Sequence, residues 1–276
     1  MSERALQGRV AWVTGSSRGL GRAIARHLAS RGARVVVHGT TPTSSRAFGE
    51  AESLDSVARL IAAETGAEVS AVHGDLTDGA RVAALTDEIQ RDLGKIDILV
   101  SCVGGDVGAA GTAGAHGGKP EGNDAVNISL EDLHAVLDRN LLACILPCRA
   151  VAPGMMARRS GRIINIGSVA GLAGRATEAI YCTAKAAVHE YTRCLAALLR
   201  PHDVCANVIA PGPVITPRFL ATRTLDDARN VKGGTLVRYG LPEDIARVVE
   251  FLAGDGGGYV TGQVLRVDGG EQLWPA

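Results

Sequence analysis

Short apolar runs and amphipathic stretches alternate along the chain with few interruptions. The apolar runs at 9–14, 34–38, 68–73, 96–102, 161–166, 203–209 and 264–267 predict strands, and consecutive valines at 35–37 mark one buried on both faces. Between them, 19–30 carries Leu20, Ile24 and Leu28 at helical spacing, and 53–65, 79–93 and 178–199 also predict helices. Ser129-Leu130-Glu131-Asp132 resembles a capping box opening a long helix, which Pro153 is expected to kink or end. Pro242 followed by Glu243 and Asp244 predicts a last helix, with proline in its first turn and acids placed for the helix dipole. Strands separated mostly by helices predict an α/β architecture, a doubly wound seven-stranded parallel sheet with helices on both faces. No linker interrupts the pattern, so 1–276 is read as one domain.

Three stretches fall outside the periodicity. Residues 40–52 are polar and contain Pro42 and Gly49, and 212–240 are mixed and polar. Residues 103–127 are rich in Gly and Ala, and an irregular loop of that length is expected to be functional or mobile.

Composition narrows the function classes. The 29 basic and 29 acidic residues cancel, so no global field recruits nucleic acid or an anionic membrane, and neither a basic stripe nor an amphipathic anchor is present. No run of about 18 apolar residues predicts a membrane span, and the run at 10–13 is too short for a signal peptide; a soluble cytoplasmic protein is expected. Cys102, Cys144, Cys148, Cys182, Cys194 and Cys205 lie mostly in apolar runs without C-x-x-C spacing, which predicts buried thiols rather than metal ligands or disulfides. The 35 glycines suit tight strand-to-helix turns.

Two constellations carry chemistry. Tyr181 and Lys185 stand four apart on a predicted helix, thirteen residues after Ser168. An ammonium beside a phenol would pull its pKa down from about 10 and make it a proton donor near neutral pH, and the serine hydroxyl could hold a substrate oxygen against it. Thr14-Gly15-Ser16-Ser17-Arg18-Gly19-Leu20-Gly21 lies between the first strand and the first helix, where glycines allow close approach of a pyrophosphate to the helix N-terminus. An acid at the end of the second strand would repel a 2′-phosphate, but the chain reads Val37-His38-Gly39-Thr40-Thr41. With no acid nearby and Arg18 in the glycine loop, the expected cofactor is NADP(H), helped by Thr40 and Thr41, with NAD(H) the alternative. His38 is either a packing residue or a neighbour of the adenine.

Taken together, these residues resemble the short-chain dehydrogenase/reductase family over nearly the whole chain. The glycine pattern, Gly74-Asp75-Leu76, Arg139-Asn140-Leu141, the run 161–168 ending at Ser168, the Tyr181/Lys185 pair, the segment 207–216 and Val267-Asp268-Gly269-Gly270 fall in the family's order. The resemblance implies a Rossmann fold and interconversion of a carbonyl and a secondary alcohol. Tyr181 would exchange the proton, Lys185 would lower its pKa and hold ribose hydroxyls, Ser168 would polarise the carbonyl, and Asn140 would position a water leading to Lys185. Cofactor contacts are implied at Gly15, Ser17, Arg18, Gly19, Leu20, Gly21, His38, Gly39, Thr40, Asp75, Leu76, Val103, Gly104, Tyr181, Lys185, Pro211, Gly212, Val214 and Thr216, with no metal. The glycine loop looks like that of NADPH-dependent 3-oxoacyl carrier-protein reductases; a sugar, polyol or hydroxy-acid dehydrogenase is the alternative. The rival from another class is a silent NADP(H)-binding sensor or scaffold.

Some features depart from the family. Ser101-Cys102-Val103-Gly104 replaces the usual Asn-Asn-Ala-Gly, and the loops 40–52 and 103–127 are long. The second is expected at the mouth of the active site. Across the substrate-lid position, Arg218, Arg223, Arg229, Lys232 and Arg238 outnumber Asp226 and Asp227, which fits either an anionic small-molecule substrate or a solvated surface. His116 and Lys119 are expected to face solvent. A homotetramer or homodimer is expected, joined by the helices bearing Asn140 and Tyr181 through Leu133, Val136, Leu137, Leu141, Val188, Leu195 and Leu198, with the apolar tail 273–276 docking on a neighbour or closing its own core.

Overall fold

The computed structural model describes residues 4–230 and 235–273. Its elements run β1 (Val10–Thr14), α1 (Gly19–Ser30), β2 (Arg34–Gly39), α2 (Leu54–Thr65), β3 (Val69–His73), α3 (Gly79–Leu93), β4 (Ile98–Ser101) and a four-residue α4 (Ala115–Gly118). There follow α5 (Leu130–Leu137), α6 (Ala143–Ala157), β5 (Gly161–Ile166), α7 (Ala179–Leu199), β6 (Val204–Pro211), α8 (Pro217–Thr222), α9 (Pro242–Ala253) and β7 (Val264–Val267). The strands form one sheet in the order β3-β2-β1-β4-β5-β6-β7, every pair parallel. This is the doubly wound arrangement expected, and all seven predicted strands are present.

The central strands β1, β2, β4 and β6 are buried almost throughout because helices cover both faces. Ile24 and Leu28 of α1, Val57 and Ile61 of α2, and Ile245 and Val249 of α9 fill one side. Leu85 and Ile89 of α3, Cys148 and Met155 of α6, and Val188 and Leu199 of α7 fill the other around Trp12. The helix ends follow their sequence signals: Ser129 accepts from the Asp132 N–H, and Asp244 accepts from Leu241 N–H at 2.8 Å.

Pro153 does not end its helix. The helix α6 runs through Pro147 and Pro153 to Ala157. Pro153 is exposed, and the carbonyl its missing N–H would have served belongs to exposed Arg149, where water can take the bond. The irregularity lies earlier, in one wide π turn at Asp138–Leu142 that carries Asn140.

Among the described residues, the helical stretch Leu130–Ala157 is long and apolar enough to cross a membrane by length and composition. In the fold its apolar side packs in the core through Cys144, Cys148, Val151 and Met155. All six cysteines are free thiols, four of them buried. Val136, Val188 and Leu195 also face the chain's own core, leaving Leu198 exposed among the residues expected at a subunit face. Of the tail, 274–276 lie outside the described residues.

Candidate active site

In an open parallel sheet, strand order reverses where ligands bind, outside the carboxyl ends of the strands. Here β1 and β4 part at that point. Thr14 spans them, its hydroxyl accepting from Cys102 N–H at 3.1 Å and donating to Val100 O at 3.4 Å. A cavity of about 330 Å³ opens there.

One end of the cavity is the glycine loop. Gly15, Ser17, Arg18, Gly19, Leu20 and Gly21 line it, with Gly39 and Thr40 from the end of β2. Gly21 is required by packing, since a Cβ there would collide with the Gly15 carbonyl. At Gly19 a Cβ would find nothing nearer than Thr216, at 3.9 Å, so there is space beside the start of α1. Arg18, Arg139, Lys185 and Arg218 line the same cavity, and Arg139 and Arg218 each keep a buried Nε–H with no protein acceptor. A helix start with space at Gly19, amid four cations, fits the phosphates of a dinucleotide.

His38 resolves to a packing role. Its Nδ1 accepts from Gly15 N–H at 3.2 Å, which leaves Nε2–H to donate to Gly74 O at 3.0 Å. Burial lowers its pKa to about 4, so the ring is neutral and ties the glycine loop to β2 and β3, showing only an edge to the cavity. Asp75 and Leu76 do not line the cavity. Leu76 is buried in the core, and Asp75 Oδ1 accepts from the N–H and hydroxyl of Thr77. Thr41 is likewise occupied, its N–H and hydroxyl both meeting Ser44 Oγ.

The expectation of no acid near the glycine loop is overturned. Glu50, from the segment between β2 and α2, lines the cavity and accepts from the Gly19 N–H at 2.8 Å. No linear signal announces it, because Glu50 lies eleven residues past the end of β2.

At the other end stand Ser168, Tyr181 and Lys185, with Val103, Gly104, Pro211, Gly212, Val214 and Thr216 between. Ser168 Oγ accepts from Ala170 N–H at 3.1 Å and lies on the Tyr181 side of the cavity. Lys185 is buried and donates from Nζ to Ile166 O at 2.9 Å; Nζ stands 5.9 Å from the centre of the Tyr181 ring. The expected depression of the Tyr181 pKa is absent. Burial raises it, Glu178 and Asp106 add to the rise, and the nearby Ser168 hydroxyl and Arg218 oppose it. Lys185 is itself lowered by burial. Arg218 thus pulls the phenol's pKa down against that rise.

Asn140 is wholly buried and does not line the cavity. Its side chain holds Gly105 and, through Nδ2, donates to Val136 O at 2.8 Å. A Cβ on Gly104 would sit 2.6 Å from Asn140 Oδ1 and 3.0 Å from Lys185 Nζ, so glycine there keeps the two groups close. His189, missed in the sequence although it sits one turn beyond Lys185 on the same face, packs beneath Gly167 and accepts weakly from Ser168 N–H at 3.4 Å.

The long loop forms an ordered wall, not an irregular flap. Asn123 donates to Asp106 Oδ2 at 2.8 Å, and Glu178 N–H donates to Asn123 O at 2.7 Å. Lys119 does not face solvent alone; it pairs with buried Glu178 at 2.6 Å, as do Arg175 at 3.1 Å and Arg223 at 3.5 Å. A second, smaller cavity beside Tyr181 is lined by Lys119, Glu178 and Arg223, with Asp106, Arg218 and Phe219. Arg229 pairs with Glu271 and Arg238 with Asp244. Of the expected lid cations, Lys232 lies outside the described residues, and among the rest Arg218 has no carboxylate ion pair; its Nη2 donates to Asp106 O at 2.7 Å.

Fold and site together define a dinucleotide-dependent oxidoreductase. A family model described as Enoyl-(Acyl carrier protein) reductase matches residues 15–272. The chain belongs to the short-chain dehydrogenase/reductase family, whose carbonyl–alcohol chemistry it shares. It is 38% identical over 271 residues to a cyclohexanol dehydrogenase of Rhodococcus sp. (strain TK6), covering 96% of each chain. It is 35% identical over 274 residues to the 3-oxoacyl-[acyl-carrier-protein] reductase FabG of Haemophilus influenzae, covering 97% of this chain and all of that one. Among solved structures it resembles a candidate gluconate dehydrogenase from Agrobacterium tumefaciens, with TM-score 0.82, 30% identity and 98% of each chain covered.

Proposed function

We propose that this protein interconverts a carbonyl and a secondary alcohol on a compact anionic substrate, using NADP(H). The observation that carries the reading is the meeting of Ser168, Tyr181 and Lys185 at one end of the first cavity, with Tyr181 also lining the second and Lys185 buried. A nicotinamide cofactor, when bound, supplies or takes the hydride. Tyr181 gives its proton to the substrate oxygen in reduction and recovers it in oxidation. A pKa above that of a free phenol keeps the proton in place until negative charge develops on that oxygen. Ser168 holds the oxygen, and Lys185, lowered by burial, is the adjacent proton carrier toward Asn140.

Gly15, Ser17, Arg18, Gly19, Leu20, Gly21, Gly39 and Thr40 would hold the adenosine and phosphates. Val103, Gly104, Pro211, Gly212, Val214 and Thr216 would lie against the nicotinamide end. Arg18 supports NADP(H), the guanidinium being the group suited to a 2′-phosphate.

On the substrate side, the relatives named 3-oxoacyl-[acyl-carrier-protein] reductase support a 3-oxoacyl compound. The second cavity favours the hydroxy-acid alternative: Asp106, Lys119, Glu178, Arg218 and Arg223 line it, and a long acyl chain would bury those charges without replacing their water. Arg218 is the seat for a carboxylate. A cytoplasmic homo-oligomer belongs to the same proposal; exposed Leu198 and Leu130 support it, and a monomer by light scattering at micromolar concentration refutes it.

The test is turnover of a panel of 3-oxoacyl thioesters, neutral ketones and short oxo acids, with Tyr181→Phe as control. Tyr181→Phe should lower kcat by about 10²–10⁴-fold with dinucleotide affinity kept within about twofold. Full activity in that variant sinks the catalytic assignment, and turnover confined to neutral ketones sinks the substrate assignment.

A further inference from the structure

Glu50 reaches the glycine loop because the chain doubles back after β2. Residues Ser44–Gly49 form a tight helical turn broken at Ala47 and Phe48, and Phe48 takes a left-handed φ of 63°. The reversal brings Glu50 against α1. Its backbone carbonyl accepts from Arg22 Nη1 at 2.9 Å, and its side-chain Oε2 accepts from the N–H of Gly19, the first residue of α1, at 2.8 Å. The second oxygen, Oε1, is buried with no partner. Arg18 stands beside it under attraction from the carboxylate, with Nη1 on Ser44 O at 2.8 Å and the guanidinium 5.6 Å from the centre of the Phe48 ring. Arg18, Gly19, Ser44 and Glu50 line the cavity together with Thr40.

Resting on the cofactor reading above, we infer that Glu50 is a cofactor-discriminating residue: its carboxylate, held at the start of α1 beside Arg18, opposes a dinucleotide that carries a 2′-phosphate and so sets the margin between NADP(H) and NAD(H).

Two effects of the carboxylate must be separated. Competition for the Gly19 N–H concerns the diphosphate, which both cofactors carry, and penalises them alike. Partial neutralisation of Arg18 and repulsion of an added phosphate concern the 2′-position, and penalise NADP(H) alone. Arg22 holds the Glu50 backbone and Gly19 holds its carboxylate, so the side chain leaves only by giving up the Gly19 bond. An acid supplied from this insertion therefore does work at the glycine loop that the end of β2 does not do in this chain.

The experiment is calorimetric titration of NADPH and NADH into the full-length protein and into Glu50→Gln, which keeps an oxygen for Gly19 and removes the charge. NADPH should tighten about tenfold, a shift of about 1.4 kcal/mol, while NADH stays within about twofold. Equal tightening of both cofactors would mean competition for the helix start only and would overturn discrimination, as would no change in either. If the glutamine variant does not fold, Glu50→Ala is read by the difference between cofactors: it also frees the Gly19 N–H for both, so NADPH must gain about tenfold more than NADH, and equal gains overturn discrimination. Failure of the unaltered protein to bind either dinucleotide would instead overturn the cofactor reading on which the inference stands.

Discussion

Asn140 holds Gly105 by both of its backbone groups, accepting its N–H at 2.9 Å and donating to its carbonyl at 2.9 Å. The same side chain reaches Val136 O. The wide turn of the helix thereby grips the first residues of the long loop, next to Lys185. Asn140→Ala removes these bonds from a buried site and should cost about 2–3 kcal/mol of stability. Turnover should fall at least about tenfold through displacement of Gly104 and Gly105. Asn140→Asp keeps the acceptor but not the donors, and should fall between the two. Chemical denaturation with steady-state kinetics checks the order; wild-type stability in Asn140→Ala would contradict it.

Arg218 faces Tyr181 and has a buried Nε–H without an acceptor. Arg218→Ala should raise KM for a short oxo acid by about 10–100-fold, through loss of a charge-assisted bond, and leave a neutral ketone nearly unaffected. Equal losses for both substrates would make Arg218 a support for the loop at Asp106 and not a carboxylate seat.

Glu178 is a buried anion ringed by Lys119, Arg175 and Arg223, and it ties the long loop to the start of α7. Burial opposes its charge, yet the surrounding cations hold its pKa below the usual carboxylate value. This stabilisation is therefore present at neutral pH and is lost as acid protonates the carboxylate through its lowered folded pKa. Glu178→Gln should lose about 1–3 kcal/mol, the cations being partly solvated. It should also speed proteolysis within 103–127. Cleavage at the wild-type rate would show that the loop does not depend on this anchor.

His38 and His189 are both buried, and burial lowers each pKa from 6.5 to about 4. Between those values the unfolded chain binds protons that the folded chain refuses, so stability falls as pH drops from about 6.5 toward about 4. His38 would lose its bond from Gly15 and His189 its place under Gly167. Urea titrations across that range should show a steady loss, shallower in His189→Gln. A flat profile would mean that neither ring is neutral by necessity.

Much of this could be read from the chain because local chemistry and fold agree. Three valines in β2, glycines at the first turn, and Tyr181 with Lys185 on one helical face each have one economical explanation. What escaped depended on chain reversal or on competition between groups. Glu50 arrives at Gly19 by way of an insertion, which spacing along the sequence does not report. The Tyr181 phenol lies near Lys185, but burial and two carboxylates raise its pKa against the pull of Arg218, a cation that sequence spacing does not bring to it. Pro153 carries a helix-breaking signal that matters only where water cannot reach the vacated carbonyl.

The wide π turn at Asp138–Leu142 has a consequence for the geometry of the whole helix. An α-helix advances about 100° per residue, so one additional residue in a turn offsets the azimuth of everything on one side relative to the other. Deleting a single residue there would let the helix close to regular pitch with its apolar packing below nearly intact. It would also rotate the Asn140 amide away from Gly105. The turn acts as a clocking element, setting the angular phase between a helix that builds the core and a side chain that holds Gly105.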